Sequence, residues 1–327
     1  MQKIVPQKLK MGDEIRVIAP ATSLKIIGQD CRQIAKERFE KLGLKVSFAK
    51  NTNDENFDMM GSSEIEKRAE DINEAFKDKN VKAIFTILGG FNSNQILPFI
   101  DYDAIKENPK IFCGYSDITA LHGAIAKKTG LVTFYGPHYS TIGMLKGNEY
   151  TFEHMEKVLF GGKDEIEASD EWSDDLWFIN QEDRNFIKNE GWWVLQNGEA
   201  EGVLAGGNLC TYVLLNGTQY QPKWGENTIL AIEDCNYSKA DDETFLRQFQ
   251  SLAQRDDFAN VKAIVIGRFQ KASGITREKL EFIIKGIPQL KGLPIVANVD
   301  FGHTTPMVTL PLGGKCKLTT NKLEVEW

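Results

Sequence analysis

The chain has 327 residues, 42% hydrophobic and 26% charged, an average globular mixture that excludes disordered and fibrous architectures. At that length two lobes of roughly 150 residues each are expected rather than one core. A net charge of −7 is the wrong sign for gripping nucleic-acid phosphates over a broad surface, and suits a protein that binds small molecules. Residues 1–10 lack the apolar stretch of a signal peptide, and no run approaches the about 18 apolar residues of a membrane span. Cys31, Cys113, Cys210, Cys235 and Cys316 are scattered and odd in number, with no Cys-x-x-Cys pair, and there are four histidines. Reduced thiols in the cytoplasm are therefore expected, with no disulfide framework and no metal centre.

In chain order, Ile15 to Ala19 reads as a short strand stopped by Pro20. Cys31, Ile34, Ala35, Phe39 and Leu42 recur at helical spacing, and Gly43 closes that helix. Ser63 with Glu66 reads as a capping box ahead of a buried stripe of Ile65, Ala69, Ile72 and Phe76. Val81 to Leu88 is β-rich and ends at Gly89-Gly90; Ile111 to Cys113 is a second such run, and Asp117 to Lys128 is helical. Strands alternating with helices predict an N-terminal lobe, residues 1–163, built on a parallel, Rossmann-like sheet. Residues 164–200 break the pattern: acidic, aromatic and without a period, they are expected to form a linker and substrate loop.

The second lobe, 201–327, resumes with strands at Val203 to Ala205, Ile229 to Ile232, Val261 to Ile266 and Ile295 to Val299. Short helices are expected at Leu209 to Leu215 and around Phe245, Leu246, Phe249 and Leu252. Gly313-Gly314 between two β-like runs, Leu310 to Leu318, is a hairpin signal. The expected class is thus α/β, with a C-terminal mixed lobe carrying a hairpin or barrel-like antiparallel portion.

The sharpest chemical signal is Gly114-Tyr115-Ser116-Asp117, where an apolar strand runs into a tight turn and a helix. That is the setting of a nucleophile elbow, in which the serine is exposed and the next backbone N–H faces a developing oxyanion. The match to Gly-x-Ser-x-Gly is incomplete because Ile118 stands at the last position, and Ser116 or Asp117 could simply cap the helix. A serine needs a base and an orienting carboxylate. His303, just past a strand end, and Glu233, at the end of another, supply them in the order Ser…Glu…His of α/β-hydrolases. A turn histidine and a solvated strand-end carboxylate are the plainer readings. His122 and His154 fall in helix-like segments and read as structural; His138 is ambiguous. Gly89-Gly90-Phe91-Asn92 could line an anion pocket with backbone N–H groups, but lacks the spacing of a dinucleotide fingerprint or a P-loop.

Together Gly-Tyr-Ser-Asp (114–117), Gly-Gly-Asn-Leu (206–209), Ile-Glu-Asp (232–234) and Gly-His-Thr (302–304) resemble the LD-carboxypeptidase family of serine peptidases. Residues 9–20 and Gly89-Gly90 match its N-terminal pattern, so the resemblance spans essentially the whole chain. It implies Ser116 as nucleophile, His303 as general base and Glu233 as its orienting acid, with Gly90 and Asp117 N–H groups holding the oxyanion. It also implies a homodimer that needs no cofactor. Two branches are open: removal of D-alanine from murein tetrapeptides, and cleavage of the amide joining an acidic aminoacyl group to a nucleotide, as in microcin C immunity. The Trp172 and Trp177 loop resembles the second branch, although those rings could equally pin the loop to the body. Asn208 and Arg247 are expected near the substrate carboxylate by position. A two-lobed protein that closes on a ligand without reacting is the competing class, and a redox enzyme a third.

Overall fold

The computed structural model describes residues 2–235 and 242–327. The N-terminal half runs β1 (Glu14–Ile18), α1 (Gln29–Lys41), β2 (Lys45–Phe48), α2 (Ile65–Lys77), β3 (Val81–Thr86), α3 (Tyr102–Glu107) and β4 (Ile111–Gly114). It continues through α4 (Thr119–Thr129), β5 (Thr133–Tyr135), α5 (Tyr139–Ile142) and α6 (Glu149–Glu156). Then come β6 (Lys163–Ile166), β7 (Glu171–Trp172), β8 (Ile187–Lys188) and β9 (Trp193–Gln196). The rest is β10 (Ala200–Asn208), α7 (Leu209–Tyr212), β11 (Thr228–Glu233), α8 (Asp242–Ala253), β12 (Val261–Gly267), α9 (Arg277–Gly286), β13 (Ile295–Val299), β14 (Leu310–Leu312), β15 (Lys315–Leu318) and β16 (Leu323–Glu326).

The strands form two principal sheets, ordered β14-β5-β4-β3-β1-β2 and β6-β16-β15-β10-β11-β12-β13-β9. Strands β2-β1-β3-β4-β5 are parallel, so the strand order reverses between β1 and β3. In such sheets the crevice at that reversal, outside the carboxyl ends, is the natural ligand site. Strands β10 to β13 are also parallel, while β15, β16 and β6 extend their sheet antiparallel. The α/β, two-lobed expectation is met.

Period-two alternation explains the layers. On β11, Ile229 and Ala231 face one apolar cluster while Leu230 and Ile232 face another. On β3, Ala83 and Phe85 join the first of these, and Ile84 turns to a third with Ile72 and Phe76 of α2. The first cluster draws on both sheets and takes in Phe39 of α1, so the lobes share one core. Each fully buried isoleucine, leucine or phenylalanine among them contributes roughly 1.5–3 kcal/mol. No helix among the described residues is long and apolar enough to cross a membrane.

Three local expectations change. Ser63 does not cap α2: Glu64 is the N-cap without a side-chain bond, and the Ser63 carbonyl accepts Arg68 Nε instead. The hairpin lies at β15–β16, not across Leu310 to Leu318; β14 pairs with β5 in the other sheet. The segment 164–200 is no plain linker, since β6 and β9 form the two edges of the eight-stranded sheet.

Candidate active site

The carboxyl ends of the two parallel sheets meet at Ser116. Gly114 ends β4, and Ser116 follows with φ +61°, a left-handed conformation that costs a non-glycine residue about 1–3 kcal/mol. A 3₁₀ turn (Ser116–Ile118) then leads into α4. The strain is held by bonds on both sides. The Ser116 N–H donates to the Tyr135 hydroxyl (3.1 Å), and the Asp117 carboxylate accepts the Ser93 N–H (2.8 Å) while Ser93 Oγ donates to the Asp117 carbonyl (2.6 Å). The N–H at the start of the 93–99 helix thus binds an internal carboxylate, which accounts for part of the anion pocket expected there. Burial raises the Asp117 carboxyl, offset by these bonds and by the charge of Arg68.

Gly89 packs directly on the serine. A Cβ at that position would lie 2.9 Å from both Cβ and Oγ of Ser116, so only glycine allows this approach. Its carbonyl accepts the Thr22 N–H (3.3 Å) and Thr22 Oγ1 (2.7 Å). Because the C=O and N–H bonds of a trans peptide point in opposite directions, the Gly90 N–H is turned away from Thr22.

Glu233, at the end of β11, is fully buried. Its Oε1 accepts Tyr135 Oη (2.5 Å) and Asn208 Nδ2 (3.0 Å), and its Oε2 lies 2.7 Å from His303 Nδ1. A Cβ on Gly302 (φ +103°) would fall 2.5 Å from that Oε2, so the backbone beside His303 closes on the carboxylate only as glycine. His303 Nε2 in turn lies 2.9 Å from Ser116 Oγ. With the carboxylate accepting at Nδ1, the proton of the neutral ring sits there, leaving Nε2 as acceptor for the serine O–H. Burial opposes charge on both groups, yet the pair overrides it. The His303 charge and the bonds from His303, Tyr135 and Asn208 hold Glu233 below the ordinary carboxylate range. Glu233, aided by Cys235, holds the imidazole well above its ordinary value.

The remaining expected positions separate. Asn208 reaches the site but is buried and committed: besides Glu233, its Oδ1 caps α7 through the Thr211 N–H (3.2 Å), and its own N–H donates to Thr119 Oγ1 (2.9 Å). Arg247 is not brought in. It lies on the exposed face of α8, opposite Phe245 and Phe249, which fill the core. The 173–186 loop springs from the β7–β8 pair and is tied at its root to Thr305 by two backbone bonds (2.7 and 2.8 Å). Arg184 holds it from within through Asp175 (2.7 Å), and its far side reaches the other lobe, where Gln181 accepts the Leu145 N–H (2.7 Å). Trp172 has two cations against its ring, Arg268 Cζ at 5.2 Å and Lys271 Nζ at 5.4 Å from the ring centre, so the pinning alternative describes its contacts. Trp177 sits farther out, half-buried, edge-on to Phe178.

His122 Nε2 donates to the Gly114 carbonyl (2.9 Å), and burial keeps the ring neutral, its value lowered to about 4. His154 pairs with Asp164. Both are structural. His138 is buried, bound to Thr86 (2.7 Å) and packed at a 31° tilt against Tyr115, 4.2 Å between ring centres. Sequence reasoning missed Tyr135. The signal was a tyrosine at the end of a buried strand, whose hydroxyl needs a partner.

Residues 15–136 match the LD-carboxypeptidase N-terminal domain, and residues 201–318 the LD-carboxypeptidase C-terminal domain. The chain belongs to the LD-carboxypeptidase family. It is 51% identical over 313 residues to the Bacillus subtilis (strain 168) protein named "Putative carboxypeptidase YocD", covering 95% of this chain and 94% of that one. The crystal structure of an MccF-like protein from Bacillus anthracis superposes with a TM-score of 0.95 at 46% identity, covering 99% of each chain. The microcin C7 self-immunity protein MccF of Escherichia coli is 32% identical over 325 residues, 94% of this chain and 90% of that one. Its structure in complex with aspartyl sulfamoyl adenosine gives a TM-score of 0.88 at 31% identity, over 99% and 98% of the two chains. Membership makes the chain a serine-type carboxypeptidase.

Proposed function

We propose that Ser116, His303 and Glu233 form the catalytic triad of this carboxypeptidase, and that it cleaves the amide between an acidic aminoacyl group and a nucleotide. The continuous hydrogen-bonded line from Ser116 Oγ through His303 to Glu233, 2.9 and then 2.7 Å, carries the reading. His303 Nε2 takes the serine proton as Oγ attacks the amide carbonyl, and Glu233 stabilises the imidazolium that forms. The Gly90 and Asp117 N–H groups receive the oxyanion. Collapse breaks the C–N bond, and His303 returns the proton to the departing amine. Water then attacks the ester, giving its proton to His303, which returns it to Ser116 Oγ as the acyl–oxygen bond breaks and the acid product leaves.

The choice of amide is supported by the likeness to MccF, whose structure holds aspartyl sulfamoyl adenosine. The tryptophan-bearing loop supports it too, because an indole stacks on a nucleobase with about 1–3 kcal/mol of benefit. Trp177 is the ring left free for that role; Trp172 would set the loop's seat. The five cysteines, none of them joined in a disulfide, fit a reducing cytoplasm, where we place the reaction, and the functional unit in this reading is a homodimer without a cofactor.

A side-by-side assay decides it. Wild-type and Ser116→Ala protein are given aspartyl sulfamoyl adenosine and a murein tetrapeptide. Release of aspartate by wild type alone supports the reading. Preference for the tetrapeptide moves the enzyme to D-alanine removal, and undiminished turnover by Ser116→Ala refutes the nucleophile.

A further inference from the structure

Tyr135 ends β5 and has no exposed surface. One oxygen on this side chain is shared by two parts of the site that belong to different sheets. It accepts the N–H of Ser116, from the N-terminal sheet's strand β4 and its turn, at 3.1 Å. It donates to Oε1 of Glu233, from the C-terminal sheet's strand β11, at 2.5 Å. A phenol has a single proton, and a carboxylate can only accept, so the direction of both bonds is fixed. Asn208 Nδ2 reaches the same Oε1, so that oxygen keeps one donor without Tyr135, and Oε2 keeps His303 Nδ1; the Ser116 N–H keeps none of this bridge. The Ser116 turn is also the strained one, with φ +61°.

We infer that Tyr135 is a positioning residue, which ties the strained Ser116 turn and the Glu233 carboxylate to one hydroxyl and so keeps nucleophile and acid in register across the lobe seam. The inference rests on the triad reading above. Two effects follow from removing the hydroxyl alone. The Ser116 N–H loses its partner, so Oγ and the adjoining Asp117 N–H lose their fixed placement, and acylation slows. Glu233 loses a donor that favours its charged form, becomes more basic, and holds the His303 proton more tightly. The acid limb of the rate profile then moves to higher pH. A tyrosine that merely fills space would change stability and leave that limb where it was.

The test uses the full chain and a fluorophosphonate probe, with the rate of Ser116 phosphonylation measured against pH for wild type, Tyr135→Phe and Ser116→Ala, alongside thermal unfolding. Tyr135→Phe is expected to react about 10- to 100-fold more slowly, the worth of a lost bond to a charged group, with its acid limb shifted upward. A wild-type rate, or a slower rate with an unmoved limb, overturns the assignment. Should Tyr135→Phe fail to fold, 3-fluorotyrosine at position 135 supplies the second measurement. As a stronger donor of the same shape it is expected to move the limb to lower pH, and an unmoved limb again overturns the assignment. If wild type itself is not labelled at Ser116, the triad falls first and takes this inference with it. A labelled wild type with an unaffected Tyr135→Phe removes the inference alone.

Discussion

His303 Nε2 lies 2.9 Å from Ser116 Oγ although 187 positions separate the two residues. The loop after β13 brings the imidazole to the carboxyl end of β4, and Glu233 sets the charge the ring can carry. That arrangement has a direct consequence for pH.

Glu233 raises His303 well above its ordinary value, so the ring is protonated, and unable to accept the serine proton, until the pH passes that raised value. The acid limb of kcat/KM is therefore expected above 6.5. Glu233→Gln removes the charge that raises it. Its limb should move to lower pH while kcat falls about 10⁴-fold, the precedent for Asp→Asn in a protease triad. A Glu233→Gln profile with the wild-type limb would contradict the coupling.

Gly89→Ala places a methyl 2.9 Å from the serine side chain. Displacement of Oγ should cost at least about 100-fold in kcat, by analogy with the effect of roughly ångström-scale misplacement, and about 1–3 kcal/mol of stability for the overpacking. Steady-state kinetics with urea unfolding read both, and an unchanged kcat would show that the contact has no role in placing the nucleophile.

The two tryptophans should part company. Trp177→Ala is expected to raise KM for aspartyl sulfamoyl adenosine about 5- to 150-fold through lost stacking, and to leave a murein tetrapeptide unaffected. Trp172→Ala should act mainly on the melting temperature, because its ring is occupied by Arg268 and Lys271. Equal KM effects from both would argue against this division.

Asp234 follows Glu233 directly, and burial, then repulsion from Glu233, raises its carboxyl to about 7 from 3.8. The unfolded chain gives up this proton first as pH rises, so the group's contribution to stability declines between 3.8 and 7. Asp234→Asn keeps an acceptor for the Cys235 N–H and abolishes the titration. Its stability relative to wild type should accordingly grow from pH 4 to pH 8 in urea melts. A constant difference would rule out a titrating buried carboxyl.

Much of this was legible in the residues. The apolar runs at 15–19, 81–88, 229–232, 261–266 and 295–299 all lie in or overlap observed strands, because strands buried on both faces need unbroken apolar sequence. The tight turn after an apolar strand singles out Ser116, and strand ends single out Glu233 and His303; the three side chains lie within hydrogen-bond reach in the order Ser116–His303–Glu233. What escaped was short, amphipathic or non-local. Strand β5 has three residues, and edge strands β6 and β9 hide their alternation among acids and aromatics. The pairing of β14 with β5 leaves no local trace, so Gly313-Gly314 has the sequence pattern of a hairpin turn while its two flanking strands join different sheets. Arg247 was placed by order along the chain, but the helical period set by Phe245 and Phe249 turns it outward. Tyr135 went unnoticed because its partners come from β11 and the Ser116 turn, both distant in sequence.

The crossing at residues 300–315 sets a limit on how this enzyme can be divided. His303 rides on a segment that leaves the C-terminal sheet, inserts Leu310–Leu312 beside β5, and returns. A fragment ending near residue 200 would carry the serine yet expose the flank of β5 as an unsatisfied row of amides and carbonyls, an invitation to aggregate. The N-terminal half is thus not a self-sufficient building block, and exchanging lobes between relatives requires the tail of one chain to complete the sheet of the other.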